Sequence, residues 1–318
     1  MHWQMIAAGL RTIACGLACA LSLAPMPASS GDAARVADDA RLQAALEDAR
    51  ARFLPAGRLD RLDVTVLLAA KDGSWRRASV GGTTPWYPAS CVKLGYAIAA
   101  AHWCEAQDQP PDCLDEHVGP MLRVSDNVET GLVVDAITGA PNAPVAGADY
   151  DSWFAKRRYT EKLLAEHGLL AGQRFINKTY PTNSGEEPTG LEALARERYG
   201  RNVMHADGAA GLMLALVSGE FGAPAADYVR SRLRRPLLSE HSSMGGGFPE
   251  GTVYESKIGD AYDTLAEIVH AELPDGRRII VAAFSNGRDP EGPDEGQDLT
   301  ALAGFSKLLL ERLPASDD

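Results

Sequence analysis

The sequence predicts an α/β fold of the α+β kind: an antiparallel sheet flanked by helices, with an inserted all-α lobe. Three observations carry that expectation. Strand-like runs occur only toward the two ends, at 62–80 and 252–284. The stretch between them reads as helices and long loops, and a helix of amphipathic spacing stands near each end. The α/β layer is therefore expected from 33–100 together with 251–318, and the lobe from about 101–250, with a cleft between them.

Each element has its local reason. Leu42, Leu46, Ala49 and Phe53 recur at helical spacing and predict a helix over 35–54. Residues 62–70 are rich in Val and Leu, Lys71-Asp72-Gly73-Ser74 is a turn, and 75–80 is a second strand. Tyr87-Pro88-Ala89 is an extended, proline-bounded entry into a small-residue apolar helix whose first turn carries Ser90. Within the lobe, 151–167 reads as one charged helix, 175–187 as a polar loop and 205–217 as an Ala-rich helix. Strands at 252–259, 263–273 and 278–284, the last two joined by Pro274-Asp275-Gly276, form a meander. An amphipathic helix over 299–313 closes the chain.

The 318 residues are 45% hydrophobic and 23% charged, ample for one large core. Net charge is -12, with no run of Lys or Arg, which argues against nucleic acid and anionic membrane as partners. Residues 1–30 read as a secretory signal: Arg11 ends a short polar region, 12–25 is apolar but too short to span a bilayer, and Pro27-Ala28-Ser29-Ser30 follows. Its loss, Arg11 included, would leave -13. The protein is thus expected to be periplasmic or secreted, without a stable membrane anchor, and monomeric.

Three cysteines remain beyond the signal. Cys104 and Cys113 bracket a short loop and are expected to pair in an oxidising compartment. Cys91, on the apolar helix, reads as a small buried hydrophobe. His117 lies near the pair, but the spacing fits no standard zinc pattern. His102, His167, His205, His241 and His270 likewise form no ligand motif, and no metal or organic cofactor is expected. No G-x-S-x-G elbow occurs, and Gly245-Gly246-Gly247 lacks the Lys-Ser/Thr of a phosphate loop.

The chemistry gathers at Ser90 and Lys93. Residues three apart share a helical face, so the amine can take the proton that makes serine a nucleophile if burial keeps it neutral. A Ser-x-x-Lys alone occurs by chance. Here it is followed by Ser125-Asp126-Asn127 and then by Lys257-Ile258-Gly259. The set resembles the S-x-x-K, S-D-N and K-T-G of penicillin-recognising serine hydrolases, and within them the class A β-lactamases, over nearly all of the chain beyond the signal.

That resemblance implies a β-lactamase/transpeptidase-like fold and assigns roles. Ser90 is acylated, with its own N–H as one oxyanion donor; Lys93 is the base or relay; Ser125 passes a proton to the leaving nitrogen. Asn127 holds a substrate amide, Lys257 polarises Ser125 and attracts an anionic group, and Asp260, after Gly259, gives the second oxyanion N–H. Arg201 to Ala206 stands where the family's Arg-Asp-Thr-Thr-Thr-Pro segment is expected, with Glu187 upstream as the candidate deacylating base and Glu186 and Glu192 as rivals. The Asn expected four residues after that base is Leu191. Two departures bear on substrate charge: Ile258 replaces a hydroxyl, and Asp260 replaces a small neutral residue. If the Asp260 side chain faces the cleft, anionic β-lactams are disfavoured, and neutral or cationic amides and esters preferred. The expected activity is hydrolysis of a small-molecule amide or ester, β-lactam or peptidoglycan-like; a DD-peptidase, an esterase and a non-hydrolytic cell-wall binder are the alternatives.

Overall fold

The sheet grows outward from β2 (Arg61–Ala69), buried along nearly its whole length. Its Leu62, Val64, Val66 and Leu68 face one side and join one apolar core. On the other side Thr65 donates to Asp207 (2.5 Å), and Asp63 accepts from the Trp86 indole (3.0 Å), so the polar residues in this strand are satisfied. β2 pairs antiparallel with β3 (Trp75–Val80) and with β6 (Arg278–Asn286). β6 pairs with β5 (Thr264–Glu272), and β5 with β4 (Val253–Ala261), both antiparallel. β1 (Val36–Asp38) completes a six-stranded sheet in the order β1-β3-β2-β6-β5-β4. The computed structural model describes residues 35–56, 59–178, 181–286 and 300–314; the expected signal, 1–30, lies outside them.

β1 corrects two expectations. It pairs parallel with β3, so the sheet is mixed, and it occupies residues expected to start a helix. Three exposed residues are too few for an alternating pattern to register. The helix, α1 (Ala40–Ala56), begins only after Asp39, whose side chain accepts the Leu42 N–H at 2.8 Å as an N-cap. α1 and α10 (Ala303–Leu310) cover one face of the sheet, with Phe53 and Phe305 edge to face at 5.8 Å.

The lobe covers the opposite face. α8 (Ala206–Val217) lies against β2, β5 and β6, its first free N–H groups capped by His205, whose Nδ1 accepts from Gly208 at 3.0 Å. α2 (Lys93–Ala106) runs through the lobe's core, buried from Lys93 to Ala101 because nearly every side chain is small or apolar. Around it stand α3 (Asp115–Arg123), α4 (Asn127–Thr138) and α9 (Ala223–Leu233), while α7 (Gly190–Tyr199) packs Leu191 and Ala195 into a smaller cluster with Ala140 and Trp153. The single helix expected over 151–167 is two, α5 (Tyr150–Arg157) and α6 (Tyr159–Glu166). The break falls beside Arg157, whose buried guanidinium bonds Asp135 (3.2 Å) and the Ala140 carbonyl (2.9 Å), a tertiary demand invisible to periodicity.

Cys104, in the last turn of α2, is bonded to Cys113 ahead of α3, with Cα atoms 5.9 Å apart. By loop-closure entropy this link contributes about 2–3 kcal/mol. Cys113→Ala should lower the unfolding free energy by that amount in urea titration, with no change in the wild type's own value on dilution. An unchanged value would leave the bond without a role in stability. Cys91 is fully buried, and burial pushes its thiol up to about 12, so it is no nucleophile.

Candidate active site

Ser90 lies in a 3-10 turn, Ala89–Val92, that runs directly into α2. The helix therefore begins at Lys93 and not at Ser90, a small correction to the expected first turn. The turn starts from Ala89 at φ +45°, a left-handed conformation that alanine adopts only at a cost. Ser125 (φ +61°) and Tyr262 (φ +57°) share that region. Strain of this kind persists where the surroundings hold it: Ala89 precedes Ser90, Ser125 is bonded to Lys93 and Lys257, and Tyr262 follows β4.

The Lys93 ammonium position is fully buried. Its Nζ is within hydrogen-bond distance of the Ser125 carbonyl (2.5 Å), the Ser125 Oγ (3.1 Å) and the Asn127 Oδ1 (2.8 Å), so a neutral amine donates to the two carbonyl oxygens and accepts from the Ser125 hydroxyl. From the opposite side Lys257 Nζ donates to the same Ser125 Oγ (3.0 Å) and to the Ile258 carbonyl (2.7 Å). One hydroxyl is thus held between two buried lysines. Burial, followed by the charge of Lys257, holds Lys93 well below the ordinary lysine range, against a smaller upward pull from Asp126. Burial, followed by Arg235, brings Lys257 to about 7, opposed by Cys91 and Glu267. A buried lysine with a depressed folded value takes up fewer protons than the unfolded chain between about pH 7 and its ordinary value of 10.5, so stability rises with pH there. Lys257→Met should flatten that rise in urea titrations at pH 7 and 9; an identical slope in the variant would remove Lys257 as its source.

The Ser125-Asp126-Asn127 segment is fixed by a helix end. Asp126 is the N-cap of α4, accepting the Glu129 N–H at 2.9 Å, and this capping points its neighbours Ser125 and Asn127 toward Lys93. Asn183 reinforces it, accepting the Asn127 N–H (2.7 Å) and donating to Asp126 (2.9 Å). No motif marked Asn183; its contribution comes from a loop 57 residues along the chain from Asp126.

Gly259 is placed by close approach. β4 is an edge strand, and a Cβ on Gly259 would stand 2.4 Å from the Pro88 carbonyl and 3.1 Å from the Cys91 nitrogen. Only glycine lets the strand lie against the serine's turn. Gly259→Ala should push β4 off the turn and cut acylation by about 100-fold, the usual cost of an ångström at a reacting centre. A variant acylating at the wild-type rate would show that β4 does not set the geometry at Ser90.

Strand alternation corrects the expectation about substrate charge. Lys257 and Gly259 face the lobe, opposite Ile268 and Ala266 of its core. Ile258 faces the other way, packed with Leu265 and Val269 beneath α1 and α10. Asp260 pairs across the ladder with Leu265 and takes that same far face, so its carboxylate does not line the cleft. The argument that its side chain repels anionic substrates falls.

The candidate deacylating acids are not gathered with this group. Glu187 is 64% exposed and bonded to Arg196, with Arg201 at 3.7 Å. Glu186 is exposed. Glu192 is buried, but it is paired with Arg157. Among the described residues no set of three or more His, Cys, Asp or Glu is placed to hold a metal, and no helix is long and apolar enough to cross a membrane.

This sheet, lobe and doubly held serine define the β-lactamase/transpeptidase fold, and the comparisons agree. A PBP-A mutant solved as an acyl-enzyme complex with penicillin G superposes with a TM-score of 0.58 at 18% identity, over 87% of this chain and 98% of that one. The β-lactamase of Sphaerobacter thermophilus DSM 20745 gives 0.56 at 18%, over 85% and 95%. A variant of the last common ancestor of Gram-negative bacteria β-lactamase class A gives 0.59 at 15%, over 86% and 98%. At these identities the likeness is one of fold. A family model for the β-lactamase enzyme family matches residues 114–313, and the chain belongs to that family of serine hydrolases. The match takes in Ser125, Asn127 and Lys257 and begins after Ser90 and Lys93. Golvesin of Dictyostelium discoideum is 33% identical over 260 residues, 80% of this chain and 45% of that protein; the chain spans about half the length of this curated relative.

Proposed function

We propose that the protein is an exported, monomeric serine hydrolase that works through an acyl-Ser90 intermediate on a small-molecule amide or ester, β-lactam or peptidoglycan-like. The observation that carries this reading is the Ser125 hydroxyl bonded by both Lys93 and Lys257, with Lys93 three residues on from Ser90 where the serine's turn runs into α2. The neutral Lys93 amine takes the Ser90 proton as Oγ bonds the substrate carbonyl carbon. The N–H groups of Ser90 and Asp260 receive the oxyanion. Lys93 returns the proton through Ser125 to the leaving atom, and its bond to the carbonyl carbon breaks. Asn127 holds a substrate amide, and Lys257 supplies positive charge.

Deacylation by water is the slow half. Glu187, the acid expected for it, lies outside the bonded group, and Glu192 neutralises Arg157. This favours a second reading, a protein that acylates once and holds its ligand. Intact-mass spectrometry with penicillin G and p-nitrophenyl acetate, beside steady-state product release, separates the two. A hydrolase gives many equivalents of product; a single equivalent with a persistent adduct on Ser90 replaces hydrolysis with capture, and no adduct on Ser90 ends both readings.

A further inference from the structure

Ser125, the proton donor to the leaving atom, and Lys257 stand at one end of the cleft. The acyl side of the substrate must point the other way along β4, past Gly259 toward Tyr262, about 10 Å at strand rise. That end is closed. The Arg201 guanidinium lies over the Tyr87 ring (5.1 Å) and over the Tyr262 ring (4.7 Å), and it donates to the Tyr262 hydroxyl at 2.6 Å. The two rings are 5.9 Å apart. Tyr87 leads into the serine's turn and Tyr262 follows β4, so the bracket spans both walls.

Against Tyr87, Ala89 and Arg201 lies a cavity of about 20 Å³, room for one water or a single group of that size. Its charged walls are paired: Lys178 with Asp135 (2.5 Å), Arg196 with Glu187, and Glu192 with Arg157. Asn177 differs. Its backbone is clamped, its N–H donating to Asn202 Oδ1 (2.9 Å) and its carbonyl accepting from Asn202 Nδ2 (2.9 Å) and the Tyr96 hydroxyl. Its carboxamide is 93% buried by residue, yet Oδ1 and Nδ2 have no hydrogen-bond partner. A buried donor and acceptor without protein partners favour a group that offers both an acceptor and a donor.

We propose that this is the acyl subsite, and that it selects a short, uncharged acyl group bearing at most one small hydrogen-bonding substituent, which Asn177 receives. Paired walls give no preference for an anion, and the Tyr87–Arg201–Tyr262 bracket excludes an aromatic acyl side chain. The inference rests on acylation of Ser90, so the experiment reads both.

Acylation rates are compared for p-nitrophenyl acetate, hydroxyacetate and phenylacetate, which share one leaving group, with labelling of Ser90 by a fluorophosphonate alongside. The wild type should favour the two short esters over phenylacetate by about 100-fold, within the range steric pockets reach. Tyr262→Ala should narrow that ratio to about 10-fold or less, and Asn177→Leu should abolish any preference for hydroxyacetate over acetate. Equal rates for phenylacetate and acetate in the wild type, or ratios unmoved by both variants while Ser90 is labelled, overturn the subsite and leave the mechanism standing. Failure of Ser90 to label, with no acylation by any ester, overturns the subsite together with the reading beneath it.

Discussion

Ser90→Ala is expected to abolish fluorophosphonate labelling and to lower turnover by on the order of 10⁶, the loss seen when a serine hydrolase gives up its nucleophile. The serine is half-buried on a 3-10 turn, and removing one oxygen there disturbs neither the turn's backbone bond from Cys91 to Pro88 (3.0 Å) nor the packing of Val92 and Ala89. The thermal midpoint should therefore stay within a degree or two, which separates lost chemistry from lost fold. Labelling that persists on the alanine variant assigns the nucleophile elsewhere.

Lys93→Met comes next in size. Methionine fills most of the buried volume without a charge, and acylation should fall by about 10²–10⁴ because no amine remains to take the Ser90 proton. Lys93→Arg should fare no better, since a guanidinium does not deprotonate in this range. The pH profile is the sharper test. Burial holds Lys93 well below the ordinary lysine range, which favours its base form, whereas Lys257, at about 7, loses its charge as pH rises. Acylation that needs Lys93 neutral and Lys257 charged should peak and then decline above about pH 7. Lys257→Arg keeps the charge and should carry the plateau to higher pH. A descending limb unmoved in that variant, or a Lys93→Met protein acylating near the wild-type rate, would remove the two-lysine relay.

The candidate site was legible in the chain because its parts are short and spaced by local structure. Ser90 and Lys93 are one turn apart, and Ser125 and Asn127 flank an N-cap aspartate, so each pair announces itself within four residues. Lys257 and Gly259 lie two apart on a strand, hence on one face. The same period of two sends Ile258 and Asp260 to the opposite face, as the core packing of Ile258 shows, so the condition that Asp260 faces the cleft is not met. The outward setting of Glu187 was illegible for another reason: loops have no periodicity, and its partners Arg196 and Arg201 belong to α7 and to the segment after it.

From sequence alone came the strands of the two hairpins, the first and last helices, the small-residue helix behind the serine, the Ala-rich helix over 205–217 and the motif residues themselves. These depend on contacts within a few residues, where propensity and alternation decide. The tertiary structure decided what rests on separation: the parallel docking of β1, the break beside Arg157, the convergence of Lys93 and Lys257 on one hydroxyl, and the bracket that ends the cleft. Lys257 lies 132 residues from Ser125 and Arg201 lies 61 from Tyr262. No local preference reaches so far; those pairs meet because burying both faces of one sheet leaves its edge strand against the serine's turn, with Gly259 small enough to allow the contact.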